Sequence, residues 1–148
     1  MRRYNHRGFT LLELLIVLVI AVMATTLIAP GFSQVTERMA LRGDSQKVAA
    51  LLRFARSESI AQAGNVRVEL HPETGTLSVS SPQKTSLHPL EPGVTVSVTG
   101  AGNGADSEPQ IVFFPDGSSS GGGIRLSASG SHYQIVVDWL TGRVNVDG

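Results

Sequence analysis

Apolar residues form one long run near the start of the chain. Residues 14–24 carry no polar side chain, and the wider run extends over residues 9–29 before Pro30 closes it. As a helix, this run spans roughly 30 Å, about the thickness of the hydrocarbon core of a bilayer. Basic residues precede it: Arg2, Arg3 and Arg7. Because basic flanks stay on the cytoplasmic side, the pattern predicts a membrane-crossing helix with a cytoplasmic N-terminus.

A helical period resumes after Pro30, which lacks an N–H and clashes with the preceding turn, so we expect a helix kink there. The alternative, a helix that simply leaves the membrane at this point, stays open. Apolar residues then recur at three-, four- and seven-residue spacing: Leu41, Val48, Leu52 and Ala55. This spacing predicts one buried helical face. Gly64 is suited to the left-handed conformation that ends a helix.

From residue 66 the hydrophobic period becomes two, which indicates short strands separated by turns. We predict strands at residues 66–70, 76–80, 94–98, 111–114, 123–128, 133–138 and 143–146, with linkers at residues 81–86 and 100–108. The sequence therefore predicts an α+β fold, in which a long N-terminal helix packs on an antiparallel β-sandwich-like head.

Glu13 is the one charged residue inside the apolar run. An ionised carboxylate within a membrane helix costs about 2.5–3.5 kcal/mol, so it usually has a partner and a function. Cleavage between Gly8 and Phe9 would place a new amine four residues before Glu13, which is one helical turn away. That amine can pair with the carboxylate of its own chain or of a neighbouring helix.

This segment resembles the N-terminus of type IV pilins and pseudopilins. Their signature is a short basic leader ending in glycine, then Phe-Thr-Leu-Leu-Glu and an apolar helix. The resemblance implies cleavage after Gly8 by a prepilin peptidase, N-methylation of Phe9, and a role for Glu13 in filament assembly. A secretory signal peptide or a simple anchor are the alternatives, but neither explains both Gly8 and Glu13.

Two later segments narrow the resemblance to the GspH/FimT family of minor pseudopilins. They are residues 111–122, with the pattern F-x-P-x-G-x-x-x-G-G, and Thr-Gly-Arg-Val at residues 141–144. The resemblance implies a minor pseudopilin of a type II secretion system, a structural subunit of the periplasmic pseudopilus that drives export of folded proteins across the outer membrane. Its partners would be other major and minor pseudopilins, the prepilin peptidase and the inner membrane.

The implied organisation has four parts. Residues 1–8 are the leader, residues 9–30 the transmembrane and assembly helix, residues 31–64 its amphipathic continuation, and residues 65–148 the β-rich head. The resemblance implies a single-pass protein of the bacterial inner membrane with its C-terminal domain in the periplasm. The alternative is a FimT-like minor pilin of a type IV pilus that binds DNA during natural transformation.

Charge argues against that alternative. From residue 65 onward four cationic residues face eight acidic ones, so the head is mildly acidic and shows no basic stripe for phosphates. In the FimT branch the closing motif tends to carry a second basic residue, whereas Asn145 follows Arg143 and Val144 here. We therefore expect no nucleic-acid partner. Because the chain has no cysteine, it can form neither a disulfide nor a cysteine-based zinc site.

Two groups of residues resemble catalytic or metal-binding motifs, but the residues around them do not fit such a function. Ser119 lies in a G-x-S-x-G pattern, but glycines and a predicted strand follow where a nucleophile elbow needs a helix. Asp106, Glu108 and Asp116 match no calcium-loop template. We expect no enzyme activity, cofactor or metal. Trp139 fits either the core, which we favour, or a contact with a neighbouring subunit.

The cleavage hypothesis makes a direct prediction. Replacing Gly8 with valine should block removal of the leader, because the resemblance places the scissile bond after this glycine. Immunoblotting of cells that express the full chain would then show only the larger precursor. A mature band at normal intensity would contradict the hypothesis.

Overall fold

The fold is taken from a computed structural model, which describes residues 10–99 and 110–148, with the side chains of residues 25–34 outside the description. The chain divides into two compact units, Met1–Val35 and Thr36–Gly148. One helix and eight strands are described: α1 (Leu11–Ala61), β1 (Val66–His71), β2 (Thr76–Ser80), β3 (Thr85–Pro89), β4 (Thr95–Thr99), β5 (Gln110–Phe113), β6 (Gly122–Ala128), β7 (Ser131–Val137) and β8 (Val144–Asp147).

The strands of the second unit form two four-stranded antiparallel sheets. One sheet has the order β3-β2-β1-β5 and the other the order β4-β6-β7-β8. Apolar residues pair directly across neighbouring strands, as in Val68↔Ile111 of the first sheet and Ile124↔Ile135 of the second. The α+β prediction with an antiparallel head is confirmed.

One hydrophobic core joins the helix to both sheets. The helix contributes the predicted face, in which Leu41, Val48, Leu52 and Ala55 are fully buried. Phe113 on β5 is the largest fully buried side chain and belongs to the same cluster. Because alternate strand residues point to the same side, one face of each sheet can bury its apolar residues while the other faces water.

The helix ends by a different device from the predicted one. Ala63, not Gly64, takes the left-handed conformation, with φ of 48°. The N–H of Gly64 donates to Ser59 O at 3.2 Å and that of Ala63 to Ile60 O at 3.4 Å, which is the paired pattern of a Schellman motif. Gly64 is needed for space instead, because a Cβ there would lie 2.8 Å from Pro82 Cγ.

The strand β3 was not predicted, and its first two residues belong to the predicted linker of residues 81–86. Its side chains alternate between exposed and half-buried, and it carries Leu87 exposed and Pro89 at its end. An edge strand with one paired side tolerates proline and needs no apolar face, so it leaves little hydrophobic signal. The other strands lie close to their predicted positions.

Loops tie the sheets to the helix and to one another. Asp44, buried on α1, accepts a hydrogen bond from Glu91 N at 2.8 Å, and Lys47 Nζ donates to Pro89 O. At the outer edge of β5, Ser120 N donates to Val112 O at 2.8 Å, and Val112 N donates to Ser120 Oγ at 3.0 Å. This loop therefore covers a strand edge that would otherwise be open.

The core makes a quantitative prediction for the segment Thr36–Gly148. Phe113→Ala should lower its free energy of unfolding by about 3–5 kcal/mol, because it removes a fully buried aromatic ring. Phe54→Ala, at a position 53% exposed, should change it by less than about 1 kcal/mol. Urea titrations followed by circular dichroism compare the two, and equal losses would contradict this description of the core.

Candidate assembly site

The described chain begins with a helix cap that involves Glu13. Thr10 precedes the helix, and its Oγ1 accepts a hydrogen bond from Glu13 N at 3.3 Å while its carbonyl accepts from Leu14 N at 3.2 Å. Threonine followed three residues later by glutamate is the capping-box sequence. This pattern indicates a helix start at Thr10 and was not recognised from the sequence. Glu13 also lies in the first turn, where its negative charge complements the helix dipole. The carboxylate itself is exposed.

Apolar side chains from residue 11 to residue 24 are exposed around the whole helix. Leu11 is 82% exposed, Leu18 65% and Met23 63%. Across the described residues, no helical stretch is both long and apolar enough to count as a membrane span. Gly8 and Phe9 lie outside the described residues, as does the side chain of Pro30. The helix kink expected at Pro30 stays a prediction.

The family motif of residues 111–122 runs from β5 through a loop to the first residue of β6, and the C-terminal turns of α1 hold this loop. Ser59 is fully buried, and its one hydroxyl proton is shared between Phe114 O, 3.0 Å from Oγ, and Arg56 O, 2.8 Å from Oγ. Arg56 Nε donates to Gly117 O at 3.0 Å. Buried backbone carbonyls need such partners, and the helix supplies them here. The helix therefore holds the loop at two of its carbonyls, Phe114 O and Gly117 O.

The closing motif lies in the turn between β7 and β8. Asp138 Oδ1 accepts from the N–H and the hydroxyl of Thr141, each at 2.7 Å, and Gly142 N donates to Asp138 O at 2.8 Å. The hydroxyl of Thr141 makes the largest contribution to holding the pKa of Asp138 below its usual value, and Arg143 adds a smaller electrostatic contribution. The turn is therefore a unit held by its own hydrogen bonds.

The two motifs meet at a pair of glycines. Gly117 has φ of 83° and Gly142 φ of 62°, both in the left-handed region. A Cβ on Gly142 would lie 2.2 Å from Gly117 O and 2.9 Å from Arg56 Nε. Gly142 therefore has two independent reasons to be glycine: backbone conformation and the close approach of the second loop.

Ser119 has a structural environment rather than that of a nucleophile. Its side chain is buried, its Oγ donates to Asp138 O at 3.0 Å, and the same Oγ accepts from Gly121 N at 3.0 Å. Nearby, Asp116 Oδ1 accepts from the hydroxyl of Ser118 at 2.6 Å, and this bond is the main cause of the lowered pKa of Asp116. Both loops are thus stabilised by their own polar side chains.

The expectation that Trp139 fills the core is wrong. Trp139 is 65% exposed and Leu140 62% exposed, because β7 ends at Val137 and both residues lie in the following turn. Tyr133, on the strand itself, is partly buried against the core. Trp139 keeps the alternate spacing of the buried Ile135 and Val137, but it lies beyond the end of the strand, where the chain turns.

Candidate metal ligands do not come together in the described part of the chain, where no group of three or more His, Asp or Glu side chains is arranged to hold an ion. Asp106 and Glu108 lie outside the described residues, as do residues 100–105 of the predicted glycine-rich linker.

Comparison with known proteins places these features in a family. The sequence model of type II transport protein GspH matches residues 44–142, and that of the prokaryotic N-terminal methylation motif matches residues 3–29. Type II secretion system protein H of Xanthomonas campestris pv. campestris is 31% identical over 144 residues, covering 96% of this chain and 83% of the relative. The chain belongs to the GspH family. It is a minor pseudopilin of type II secretion, as its motifs predicted.

Solved structures share the fold of this family member. The minor pseudopilin EpsH from the type 2 secretion system of Vibrio cholerae matches with a TM-score of 0.59 at 12% identity, over 72% of this chain and 94% of that one. The type IV minor pilin FimU of Pseudomonas aeruginosa matches with a TM-score of 0.59 at 16% identity, over 76% and 92%. The fold is thus common to both proteins, and the assignment to type II secretion rests on the GspH model and the 31% identical relative.

The glycine pair predicts unequal effects of the same substitution. Gly142→Ala should destabilise the segment Thr36–Gly148 by about 2–4 kcal/mol, because backbone strain and overpacking add. Gly130→Ala is the matched control, since Gly130 has φ of 77° but open space around a Cβ. It should cost only about 1 kcal/mol of strain. Similar losses in thermal unfolding for the two variants would contradict the close approach described here.

Proposed function

We propose that this minor pseudopilin is made with an eight-residue leader, cleaved between Gly8 and Phe9 by a prepilin peptidase, and N-methylated on Phe9. The mature chain is a single-pass protein of the inner membrane with its head in the periplasm. There it joins major and minor pseudopilins in the filament that drives folded proteins across the outer membrane. The match of residues 3–29 to the N-terminal methylation motif supports this processing.

The observation that carries the assembly role is the exposed apolar surface of the helix in residues 11–24. Isolated soluble proteins rarely expose apolar patches of more than a few hundred Å², and larger ones mark contacts with membrane or protein. Leu14 is 63% exposed and Ile20 60%, so apolar surface continues along this stretch. Lipid covers it before assembly, and the helices of neighbouring subunits cover it in the filament.

Glu13 performs two tasks in this proposal. Its position after Thr10 supports the helix start, while its carboxylate pairs with the methylated amine that cleavage creates. A charge pair is favoured strongly where water is scarce, so it can set the axial register between two helices in lipid. The pairing can be within one chain or between adjacent subunits.

The head acts by presenting a surface and carries out no catalysis. Ser119, the one residue in a nucleophile-like motif, uses its hydroxyl for hydrogen bonds to Asp138 O and Gly121 N. The loop junction with α1 accounts for the two family motifs in structural terms, and no cofactor is needed for this role.

Substitutions at Glu13 and Thr10 separate the charge pair from the helix cap. Glu13→Gln should leave leader cleavage intact but reduce incorporation into sheared filaments by about tenfold, which corresponds to about 1.4 kcal/mol of lost pairing. Thr10→Val is the control, because it removes the Oγ1 acceptor and keeps the carboxylate. It should reduce incorporation by less than about threefold.

Immunoblots of cell and filament fractions, together with the secreted level of an exported protein, give the readout for these variants. Normal incorporation of Glu13→Gln would contradict the charge pair. Equal defects in the two variants would mean that Glu13 acts only by stabilising the start of the helix.

A further inference from the structure

A groove runs between the exposed face of α1 and β8, and arginines dominate it. One hollow, of about 580 Å³, is lined by Arg53, Arg56 and Arg143 together with Ile60 and the backbone of residues 142–145. A second hollow, of about 330 Å³, is lined by Arg42 and Val146 and shares Arg53 with the first. No carboxylate is among the described residues that line either hollow.

The guanidinium groups keep most of their donors free. Arg53 Nη2 donates to Val144 O at 3.3 Å, and Arg56 Nε donates to Gly117 O at 3.0 Å. Arg143 is exposed, and among described residues its side chain has no hydrogen-bond partner. Each guanidinium has five N–H donors in a planar fork that fits a carboxylate. Three such groups in one hollow therefore offer many N–H donors to an anion from outside, although Asp138 already balances part of the charge of Arg143.

Two exposed apolar side chains, Trp139 and Leu140, lie in the same turn as Arg143. The hydrogen bond from Asp138 N to Arg143 O, at 2.9 Å, closes this turn. The turn is held in place, because Ser119 N donates to Trp139 O at 2.8 Å. Tryptophan and arginine are the side chains most enriched at the energetic centres of protein interfaces.

The sign of the head's charge indicates what fits the groove. The compact unit Thr36–Gly148 has eleven acidic and nine basic residues, and three of the nine are the groove arginines, so the groove is complementary to the acidic surfaces of subunits like this one. Duplex DNA is a poorer match, because the surrounding negative charge repels a phosphate backbone.

We propose that the groove formed by Arg53, Arg56 and Arg143 binds a carboxylate-bearing polypeptide segment of a neighbouring pseudopilin, and that Trp139 and Leu140, exposed in the turn that carries Arg143, add an apolar contact. The identity of the neighbour rests on the proposed assembly role. The chemistry of the segment follows from the side chains present: acidic residues for the arginines and an apolar residue for Trp139.

The single tryptophan of the chain supplies a direct readout. The full chain in detergent micelles is titrated with a synthetic peptide of alternating glutamate and leucine that contains no aromatic residue. Binding should shift Trp139 emission to shorter wavelength, since the indole leaves water, and added salt should weaken it. A peptide with lysine in place of glutamate should produce no shift.

Matched variants locate the site. Arg143→Gln should weaken binding of the acidic peptide by about fivefold or more. Arg67→Gln, the same change at an exposed position on β1, should weaken it by less than about twofold. Calorimetry should show that Trp139→Ala weakens binding more than Leu87→Ala, the control at an exposed position on β3.

Three outcomes would overturn the proposal: no binding of the acidic peptide, equal weakening by Arg143→Gln and Arg67→Gln, or tighter binding of a short DNA duplex than of the peptide. The last would assign the groove to nucleic acid. None of them bears on leader cleavage or on the Glu13 variants, so failure here leaves the assembly role of the N-terminal helix in place.

Discussion

Burial of one face of α1 against both sheets is the interaction on which the head depends. Leu52 and Ala55 on the helix share one core with Phe113 of the first sheet and Ile135 of the second. Each sheet alone would leave an apolar face in water, and four strands with one uncovered face are a poor folding unit. The family motifs reinforce the same contact, because the loops that carry them bond to the final turns of that helix.

Local pattern made much of this fold predictable. The helix face, most strands and the glycine turns follow from periodicity and backbone conformation, which neighbours in sequence determine. The remainder depends on residues that are distant in sequence. Gly64 makes room for Pro82, and Asp44 caps a loop nearly fifty residues away. No periodic signal reports such contacts, and β3 lacked an apolar face to reveal it.

The functional residues also separate into those that local sequence predicts and those that depend on distant contacts. Glu13 stood out because a charge in an apolar run is costly, although its bond to Thr10 also gives it an ordinary capping role. Arg53 and Arg143 are ninety positions apart, and each alone looks like a solvated surface cation. Only the antiparallel return of β8 alongside α1 brings them into one groove. Trp139 is the opposite case: its hydrophobicity predicted a place in the core, but it lies on the surface because β7 ends at Val137.

Hydrogen bonds occupy backbone groups at two strand edges of the head, and this affects how the subunit recognises its partners. Ser120 bonds across the outer edge of β5, and Arg53 occupies Val144 O on β8. Open edges recognise any extended backbone regardless of its sequence, whereas occupied ones leave recognition to side chains. Secretion and pilus machines build subunits on one fold, as the match to FimU illustrates. Recognition by side chains therefore allows subunits of one fold to be distinguished from one another.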